Sequence, residues 1–481
     1  MVFTRKDSRE TRTKIVCTIG PVSRDSEILR ALIREGMDVA RINFSHSTEV
    51  EHAESIECIR RVTREEAATV AILADLQGPK LRIGRLIEPL ELRAGDWIAL
   101  TAGPADGSFR VIPLPHAELI AGANVGGRWL FDDGAIEAIV REVRPEVVIA
   151  EVLVGGRMSS HKGVSAPGGT GRVAALTEKD RKDVRYAASC GVDYIALSFV
   201  QAAEDVRALR ELLDTLPGGL GIGIIAKIEK REALDDLEGI LAVADAVMVA
   251  RGDLGLEIPP QEVPIRQKEI IRRCNRRGVP VITATQMLQS MIAHPRPTRA
   301  EASDVANAIL DGTDAVMLSE ETAIGRYAVE AVAMMREISA SAEDELRFSA
   351  GDGRFGGIDH VHPVTDAISD ATARIADAVN ARLIATVTTT GYTARQVARK
   401  RPRRPIVALT PDERVLRQLA LVWGVVPLPI LAFEGTDEML RVVSKALLNA
   451  NYVKTDDLIV ITAGLPTGGR GTTNILKVHR V

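Results

Sequence analysis

Residues 223–255, GIIAKIEKREALDDLEGILAVADAVMVARGDLG, contain two short apolar runs on either side of an amphipathic stretch with helical spacing. Short apolar runs rich in β-branched residues predict buried strands, and the stretch between them predicts a helix. A strand, a helix and a second strand in this order are typical of a parallel sheet with helices packed on it. This segment therefore predicts an α/β fold built from repeated βα units.

The same pattern recurs along the chain. Apolar runs begin near Lys14, Met37, Thr69, Asp193, Gly223, Ala246, Pro280 and Ala315. Eight βα units predict a closed (β/α)8 TIM barrel, in which catalytic residues lie at the carboxyl ends of the strands. The step of 124 residues from Thr69 to Asp193 is too long for one unit. We therefore expect a domain inserted after the third strand.

The remaining segments predict two further domains. The insertion, residues 78–162, has strand-like runs joined by Gly- and Pro-bearing turns, which predicts a small β-barrel lid. Residues 1–77 and 163–347 would form the two parts of the catalytic barrel, with the last helix at about 327–346. After the Gly-rich linker SAGDGRFGGIDHVHP, residues 360–481 alternate helices with the strands RLIATVTT, RPIVALT and DLIVITAG. This last part predicts an open α/β domain.

The composition of the 481 residues excludes several classes of function. The formal net charge is -4 and aromatic residues make up 3%, so neither a basic surface nor base-stacking side chains indicate nucleic-acid binding. No apolar run is long enough to cross a bilayer, and the N-terminal MVFTRKDSRETRTK lacks an apolar signal. The 4 cysteines are scattered without metal-binding spacing. We expect a cytoplasmic protein with small-molecule partners, no nucleic-acid partner and no membrane partner.

Polar side chains follow the apolar runs at the predicted strand ends. After the second run, Arg41, Asn43 and Ser45 are spaced by two, so they share one face of an extended strand, and His46 follows them. The later runs end in Asp75, Lys80, Ser198, Lys227, Glu229, Arg251, Gly252, Asp253, Thr285, Gln286, Ser319, Glu321 and Thr322. Because the carboxyl ends of barrel strands meet at one mouth, we expect these side chains to converge there.

Glu229 and Asp253 reach this mouth from adjacent predicted strands. A carboxylate pair with few other ligands suits Mg²⁺ or Mn²⁺, which keep bound waters and accept substrate oxygens. Arg41, Lys80 and Lys227 add fixed positive charge. Phosphoryl transfer needs this combination, because negative charge on the transferring oxygens must be neutralised in place. An ordinary ion pair is the alternative for any one residue, but charge at nearly every strand end favours a functional site.

Two other charged motifs have simpler interpretations. Asp132 and Asp133 in FDDGAI are adjacent, so on a strand they would point to opposite faces, and a turn is favoured over a metal site. The basic run RKRPRRP, residues 399–405, has no interleaved aromatic residue. We interpret it as a solvated face rather than a nucleic-acid site.

Long motifs in the sequence resemble those of the pyruvate kinase family. The matching segments, in order, are TKIVCTIGP, ARINFSHS, DLQGPK, IIAKIEK, VARGDLG, ATQML, PRPTRAEASDVANA and LSEETAIG. The resemblance covers nearly the whole chain, including the insertion and the C-terminal part. It implies transfer of a phosphoryl group from phosphoenolpyruvate to ADP, giving pyruvate and ATP in glycolysis. It also implies dependence on Mg²⁺ or Mn²⁺ and a homotetrameric assembly.

The resemblance implies a role for each charged residue of the predicted mouth. Glu229 and Asp253 match the ligands of the divalent metal. Lys227 matches the residue that stabilises the phosphoryl group during transfer, a role that suits an ammonium point charge. Arg41 matches a contact to the transferring phosphate, where a fork of N–H donors fits phosphate oxygens. The three catalytic residues implied are Lys227, Arg41 and Thr285.

Further residues match binding contacts of the family. The backbone N–H groups of Gly252 and Asp253 match the site of the substrate carboxylate, at the start of a short helix. Thr285 matches a hydroxyl group near the enolate carbon. Contacts on the nucleotide side correspond to Asn43, Ser45, His46, Arg82 and Lys162. Asp133 lies in a segment that faces the cleft in the family, where lid closure over the nucleotide would involve it.

The third strand departs from the commonest family pattern. Many members hold a K⁺ ion with residues matching Asn43, Ser45, Asp75 and a threonine, but this chain has Leu76 in place of that threonine. Where the same members carry a glutamate, this chain has Lys80. An ammonium group in this neighbourhood would replace the monovalent ion electrostatically. We therefore predict activity without K⁺, as in the subgroup with this lysine.

The C-terminal domain contains two loops rich in hydroxyl groups and glycine. The first, TTTGYTARQ, opens a helix, a geometry that suits phosphate, and its candidate residues are Thr388, Thr389, Thr390, Gly391 and Thr393. The second, TAGLPTGGRGTTN, covers residues 462–474. Because this domain binds phosphorylated effectors in the family, an allosteric site for a sugar phosphate or nucleotide is one hypothesis. An ordinary helix cap and a Gly-rich connection are the alternative.

Two other functions remain open from the sequence. A lyase acting on phosphoenolpyruvate or pyruvate would need the metal pair, but neither the insertion nor the nucleotide contacts. A regulatory binding protein could keep the fold without catalysis, but Lys227, Glu229, Asp253, Arg41 and Thr285 are all present. Both observations favour the phosphotransferase.

Overall fold

The structure is a computed structural model that describes residues 11–103, 110–169, 173–349, 362–464 and 473–481. The chain begins with two βα units and a third strand: β1 (Lys14–Ile19), α1 (Ser26–Glu35), β2 (Met37–Asn43), α2 (Glu49–Glu65) and β3 (Ala71–Asp75). The insertion follows with β4 (Leu90–Leu92), β5 (Trp97–Thr101), β6 (Val111–Pro113), α3 (Ala117–Ala121), β7 (Arg128–Phe131), β8 (Ile136–Arg144), β9 (Val147–Val154), β10 (Gly156–Met158) and β11 (Val164–Ser165).

The chain then returns to the βα pattern. The elements are α4 (Glu178–Ser189), β12 (Tyr194–Leu197), α5 (Ala203–Asp214), β13 (Gly223–Ile228), α6 (Arg231–Asp235), α7 (Leu237–Val243), β14 (Ala246–Ala250), α8 (Arg251–Glu257), α9 (Val263–Arg277), β15 (Val281–Ala284), α10 (Arg299–Leu310), β16 (Ala315–Leu318), α11 (Glu320–Ala323) and α12 (Ala328–Ser349). Helices α2, α4 and α10 each begin at a capping box, with Thr48, Thr177 and Thr298 as the N-caps. These threonines satisfy backbone N–H groups that the first turn leaves without partners.

In the described part of the chain, eight parallel strands close into a barrel in the order β1, β16, β15, β14, β13, β12, β3 and β2. The strands are buried on both faces, as expected for a parallel sheet covered by helices. All eight begin within two residues of their predicted positions. The predicted (β/α)8 barrel, interrupted after its third strand, is confirmed.

The insertion forms a curled sheet with an apolar core of its own. Its described strands pair in the order β11, β7, β8, β9, β5 and β6, and β4 pairs separately with β10. Trp129 and Phe131 on β7 are buried in this core. We call residues 78–165 the lid; the chain leaves the barrel after β3 and returns to it after β11.

The C-terminal domain contains α13 (Pro363–Ala378), β17 (Ile384–Val387), α14 (Tyr392–Ala398), β18 (Ile406–Thr410), α15 (Glu413–Gln418), β19 (Val425–Pro429), α16 (Gly435–Asn449), β20 (Leu458–Ala463) and β21 (Ile475–Arg480). Among its described residues the strands pair in the order β19, β18, β17, β20 and β21, with β21 antiparallel. This confirms the predicted α/β domain and adds β19 and β21 to the predicted strands. The predicted linker lies largely outside the described residues.

The C-terminal domain closes the base of the barrel, opposite the mouth. Ala420 and Leu421 belong to one buried apolar cluster with residues inside the barrel, such as Leu73, Met248 and Met317. The Tyr194 hydroxyl donates to the Gln418 carbonyl oxygen at 2.9 Å. The interior of the barrel is therefore completed by side chains from another domain.

The basic run at residues 399–405 also lies against the barrel. Arg399 and Lys400 both pair with Asp366, and the Lys400 distance is 2.6 Å. Arg401 pairs with Asp314 of the barrel. The side chains of these three cations are only 4–8% exposed, so their interpretation as a solvated face is wrong. The pattern of charges could not show that Arg399 and Lys400 share a buried carboxylate, or that the partner of Arg401 comes from a different domain.

Within the described ranges, no helix has both the length and the apolar character needed to span a membrane.

Candidate active site

Lys227, near the carboxyl end of β13, is the centre of a charged cluster at the barrel mouth. Its ammonium nitrogen lies 2.9 Å from Glu229 Oε1 and 3.3 Å from Asp75 Oδ1. It also donates a hydrogen bond to Ser198 Oγ at 2.8 Å. Burial alone would lower the pKa of Lys227, but Asp75 and Glu229 raise that pKa above its usual value. The side chain is therefore a fixed positive charge.

Arg41, on β2, is the second cation of the cluster. Its Nε donates to Asp75 Oδ2 at 2.6 Å, and its Nη1 donates to Thr18 Oγ1 at 2.8 Å. Burial opposes ionisation of Asp75, but Lys227 and Arg41 lower the pKa of that carboxyl group. Asp75 thus holds two cations of the predicted substrate site beside each other.

Glu229 and Asp253 approach each other from neighbouring strands, as the sequence predicts. Glu229 is buried, and its Oε2 accepts a hydrogen bond from the Phe199 backbone N–H at 2.7 Å. Asp253 lies in the first turn of α8. Burial and the nearby Glu229 carboxylate raise the pKa of Asp253 to about 6. The two carboxylates are therefore close enough to repel each other.

This donor set fits a divalent cation. The two carboxylates provide hard oxygen ligands, and a positive charge between them would relieve the repulsion that raises the pKa of Asp253. In the described part of the chain, no group of three or more His, Cys, Asp or Glu side chains could hold a metal ion. Most of the coordination sphere would therefore be left to water and substrate oxygens, as Mg²⁺ commonly requires.

Thr285 follows β15 and faces the start of α8. Its Oγ1 accepts a hydrogen bond from the Gly252 backbone N–H at 3.0 Å. Thr285 and Gln286 have φ values of 69° and 54°, a strained conformation that clusters at functional sites. Arg251 holds this segment, because its Nη2 donates to the Thr285 carbonyl oxygen at 2.7 Å. The predicted substrate residues Gly252 and Thr285 are thus in direct contact.

The predicted nucleotide residues Asn43, Ser45 and His46 lie at and beyond the end of β2. Asn43 Oδ1 accepts a hydrogen bond from the Ser45 backbone N–H at 3.0 Å, which shapes the turn. The Asn43 and Ser45 side chains are half-buried, and His46 is exposed. β2 ends at Asn43, so only Arg41 and Asn43 of the predicted alternating set are on the strand.

Arg82 and Lys162 lie on the two chain segments that enter and leave the lid. Arg82 is exposed and pairs through its backbone with Gly163. Lys162 Nζ lies 2.6 Å from Asp132 Oδ1. Asp132 and Asp133 have φ values of 51° and 53° between β7 and β8, which confirms the predicted turn. Lys162 is therefore held by a carboxylate of the lid.

Lys80 lies among other cations at the edge of the mouth. Burial, followed by repulsion from Arg82 and Lys179, lowers the pKa of Lys80. Lys179, on α4, was missed by the sequence analysis. Its ammonium group donates to the Phe44 carbonyl oxygen at 2.8 Å and contacts Asp183 at 2.6 Å. A helical lysine carries no local signal, because only the fold brings it close to Lys80.

The candidate effector loop connects β17 to α14. Gly391 has a φ of 76° as the N-cap of α14, and Thr389 and Thr390 are exposed. Thr388 and Thr393 are buried, and Thr393 Oγ1 lies 3.0 Å from Thr473 Oγ1. The two predicted loops therefore meet at this contact, although residues 465–472 of the second loop lie outside the described residues.

Comparisons with known proteins agree with this geometry. The family model described as the pyruvate kinase barrel domain matches residues 10–332, and the pyruvate kinase alpha/beta domain matches residues 366–479. A pyruvate kinase of Geobacillus stearothermophilus is 45% identical over 97% of this chain and 80% of its own length. One of Corynebacterium efficiens is 43% identical over 98% of both chains. The crystal structure of a pyruvate kinase from Cryptosporidium parvum matches with a TM-score of 0.90 and 36% identity, over 98% of this chain and 96% of that one.

The mouth of this barrel, where carboxylates face fixed cations, suits phosphoryl transfer, and the matched families are phosphotransferases. The chain belongs to the pyruvate kinase family. Its reaction is phosphoryl transfer from phosphoenolpyruvate to ADP, which gives pyruvate and ATP. The phosphotransferase predicted from the sequence is confirmed, and the lyase and the non-catalytic binding protein are set aside.

Proposed function

We propose that the cluster around Lys227 is the catalytic centre of this reaction and depends on Mg²⁺ or Mn²⁺ held by Glu229 and Asp253. The contact that supports this most strongly is the Lys227 ammonium, 2.9 Å from Glu229 and anchored by Asp75 and Ser198. When bound, the divalent ion supplies electrostatic stabilisation of the phosphoryl and enolate oxygens. Lys227 stabilises the phosphoryl group in transfer, since its charge is fixed before substrate arrives.

The neighbouring residues bind and orient the substrate. Arg41 contacts the transferring phosphate, with its guanidinium held in advance by Asp75 and Thr18. The backbone N–H groups of Gly252 and Asp253 bind the substrate carboxylate. Binding there requires Gly252 to release its hydrogen bond to Thr285 Oγ1. The freed hydroxyl then lies beside the enolate, where it can hold or pass a proton.

The nucleotide binds at the opposite edge of the mouth. Its contacts come from Asn43, Ser45, His46, Arg82 and Lys162. Lys179 extends this group, since its charge influences the pKa of Lys80 and its ammonium group supports the turn after β2. The lid closes over the bound nucleotide and excludes water from the transfer.

Lys227→Met tests the catalytic assignment through ADP-dependent pyruvate release with Mg²⁺. We expect kcat to fall by at least about 100-fold, the size of effect seen when one transition-state donor is removed. Lys268→Met is the matched control, because Lys268 pairs with Asp311 on the outside of the barrel. Equal losses of activity in both variants, or none in Lys227→Met, would contradict the assignment.

We also propose that activity is independent of K⁺ because Lys80 replaces the ion. Lys80 has no ion-pair partner among the described residues, so its ammonium group is free to serve this role. Turnover of the wild type in sodium- and potassium-free buffer should be close to that with added K⁺. Turnover that appears only on addition of K⁺ would overturn the proposal.

The C-terminal domain is proposed to bind a phosphorylated effector at Thr388, Thr389, Thr390, Gly391 and Thr393. The exposed hydroxyl groups of Thr389 and Thr390 support this assignment. Glucose 6-phosphate or AMP should shift the phosphoenolpyruvate saturation curve, and Thr389→Val/Thr390→Val should weaken the shift. If neither compound changes the curve or the melting temperature, the loop is an ordinary helix cap.

A homotetramer in the cytoplasm is proposed from the family. Light scattering after size-exclusion chromatography should give about four times the mass of one 51.9 kDa chain. A monomeric or dimeric mass at the enzyme concentration used for assay would contradict this assembly.

A further inference from the structure

Lys230 and Glu257 form an ion pair between the two elements that carry the proposed metal ligands. Lys230 Nζ lies 2.5 Å from Glu257 Oε1, and the two side chains are only 15% and 6% exposed. Lys230 directly follows Glu229, and Glu257 is the last residue of α8, one turn beyond Asp253. The pair therefore links the end of β13 to α8.

The lid contacts the same carboxylate. Ser165, on β11, donates its hydroxyl hydrogen to Glu257 Oε1 at 2.7 Å. β11 is the last strand of the lid before the chain returns to the barrel. Glu257 thus accepts hydrogen bonds from both Lys230 and Ser165, so one oxygen connects the barrel, α8 and the lid.

A second contact joins the lid to α8. A Cβ atom added at Gly134, in the turn between β7 and β8, would lie 3.3 Å from Leu256 Cδ2. The turn between β7 and β8 of the lid therefore packs against the last turn of α8, beside the Ser165 contact to Glu257.

Lys230 also lies beside Phe199, the residue that donates a hydrogen bond to Glu229. Its ammonium group lies 6.0 Å from the centre of the Phe199 ring, and the Phe199 backbone N–H is the donor to Glu229 Oε2. Lys230 is therefore linked to Glu229 through Phe199, and to the helix that carries Asp253 through Glu257.

We propose that Lys230 and Glu257 are positioning residues, which set the separation of Glu229 and Asp253 and couple it to the lid through Ser165. This inference rests on the proposed metal site. In this role each residue acts through the element that carries a carboxylate. Partners that orient metal ligands commonly change metal affinity by about 10- to 100-fold when removed.

The direction in which divalent-ion affinity changes when Lys230 is replaced distinguishes a positioning role from a direct electrostatic effect. Lys230 is a positive charge close to a cation site, so removal of that charge alone would strengthen binding of a divalent ion. A positioning role predicts the reverse, because α8 loses its link to β13. A purely structural role predicts a lower melting temperature with unchanged metal affinity in the folded protein.

The experiment measures binding of Mn²⁺ alone to the full-length enzyme by electron paramagnetic resonance of the free ion. We expect Lys230→Met to raise the Kd for Mn²⁺ by about tenfold, and Lys230→Arg, which can keep the ion pair, to restore most of the affinity. Lys268→Met removes a lysine from an ion pair outside the site and should leave the Kd unchanged. An unchanged or lower Kd in Lys230→Met would overturn the proposal.

A second variant covers the case in which Lys230→Met does not fold. Lys230→Met/Glu257→Met removes both charges, so no buried carboxylate is left unpaired. Because the link is lost, this variant should also bind Mn²⁺ more weakly than the wild type, and wild-type affinity would contradict the positioning role.

Glu229→Gln separates this inference from the proposed function. Normal Mn²⁺ binding by Glu229→Gln would refute the metal site itself. Lost binding in Glu229→Gln together with normal binding in Lys230→Met would refute only the positioning role. Ser165→Ala tests the lid connection, and should raise the KM for ADP without changing the Kd for Mn²⁺; an unchanged KM for ADP would remove the lid from the proposal.

Discussion

Arg401 of the C-terminal domain neutralises Asp314 at the base of the barrel, with Nη1 3.2 Å from Oδ1. The guanidinium carbon lies 4.5 Å from the centre of the Trp423 ring, and Nη2 donates to the Gly312 carbonyl oxygen at 2.6 Å. The other Asp314 oxygen accepts the Val281 backbone N–H at 2.9 Å. An arginine from one domain therefore compensates a buried carboxylate that orders two strands of another.

Arg401→Met should destabilise the protein strongly, because Asp314 would remain buried without a cation. Loss of one partner of a buried ion pair costs about 3 to 5 kcal/mol of unfolding free energy. Urea denaturation measures the change. Arg404→Met is the control, since Arg404 and Asp377 are 30% and 39% exposed and such pairs contribute about 0 to 1 kcal/mol. Similar losses in both variants would show that the Asp314 pair has no special role.

The destabilisation in Arg401→Met should depend on pH. Burial raises the pKa of Asp314 even though Arg401 lowers it, so removal of Arg401 raises that pKa further. A native pKa above the unfolded value means that protonation stabilises the native state at low pH, and that this stability is lost as pH rises through the native pKa. The difference in unfolding free energy between wild type and variant should therefore be larger at about pH 8 than at about pH 5. A difference that is constant or grows toward low pH would contradict this account.

Gly78→Ala should impair catalysis from a position outside the charged cluster. Gly78 has a φ of +66°, and an added Cβ would lie 2.7 Å from Phe199 Cδ2 and 2.9 Å from Ser198 Cβ. Phe199 and Ser198 contact Glu229 and Lys227, so we expect kcat to fall by about 10- to 100-fold through misplacement of these groups. Steady-state kinetics at saturating substrate measures the effect.

Gly95→Ala is the control for this substitution. Gly95 has a φ of +86° but no atom within 4 Å of an added Cβ. It therefore carries the backbone strain without the clash, and should keep the kcat of the wild type. A similar loss of kcat in both variants would attribute the Gly78 effect to backbone strain alone.

Lys162→Met should weaken ADP binding selectively. Lys162 is one-third exposed at the edge of the lid, so its side chain is accessible from solvent even though it contacts Asp132. Loss of a hydrogen bond to a charged group, about 1.5 to 3 kcal/mol, corresponds to a rise in KM for ADP of about 10- to 100-fold. The KM for phosphoenolpyruvate should be unchanged. Asp132→Asn keeps the lysine and should not raise the KM for ADP, whereas a rise in the KM for phosphoenolpyruvate in Lys162→Met would contradict the assignment.

Local sequence determines where the barrel strands lie and where their polar residues converge, so both could be predicted. A buried parallel strand is a short apolar run, and its last residues must face the mouth. Lys227, Glu229 and Asp253 therefore meet as predicted, at the ends of consecutive strands. Strands at the edges of the C-terminal sheet were missed. β19 contains Pro427 and Pro429, which edge strands tolerate but which interrupt the strand pattern in the sequence.

The remaining features that the sequence did not predict depend on contacts between segments that are far apart in the chain. Arg401 has the same sequence context whether it faces water or the buried Asp314, and its burial depends on how two domains pack. Lys230 follows a predicted metal ligand, yet its partners Glu257 and Ser165 come from a helix end and a lid strand. Such residues can be found only when the fold brings the segments together.

Ala420 and Leu421 close the barrel at the end opposite the mouth, because their side chains fill its apolar interior there. Deletion of the C-terminal domain would open this end of the barrel, and water would reach the apolar side chains in its interior. The catalytic barrel therefore depends on the C-terminal domain to complete its core. Any exchange of the C-terminal domain for another must provide two apolar side chains at this position.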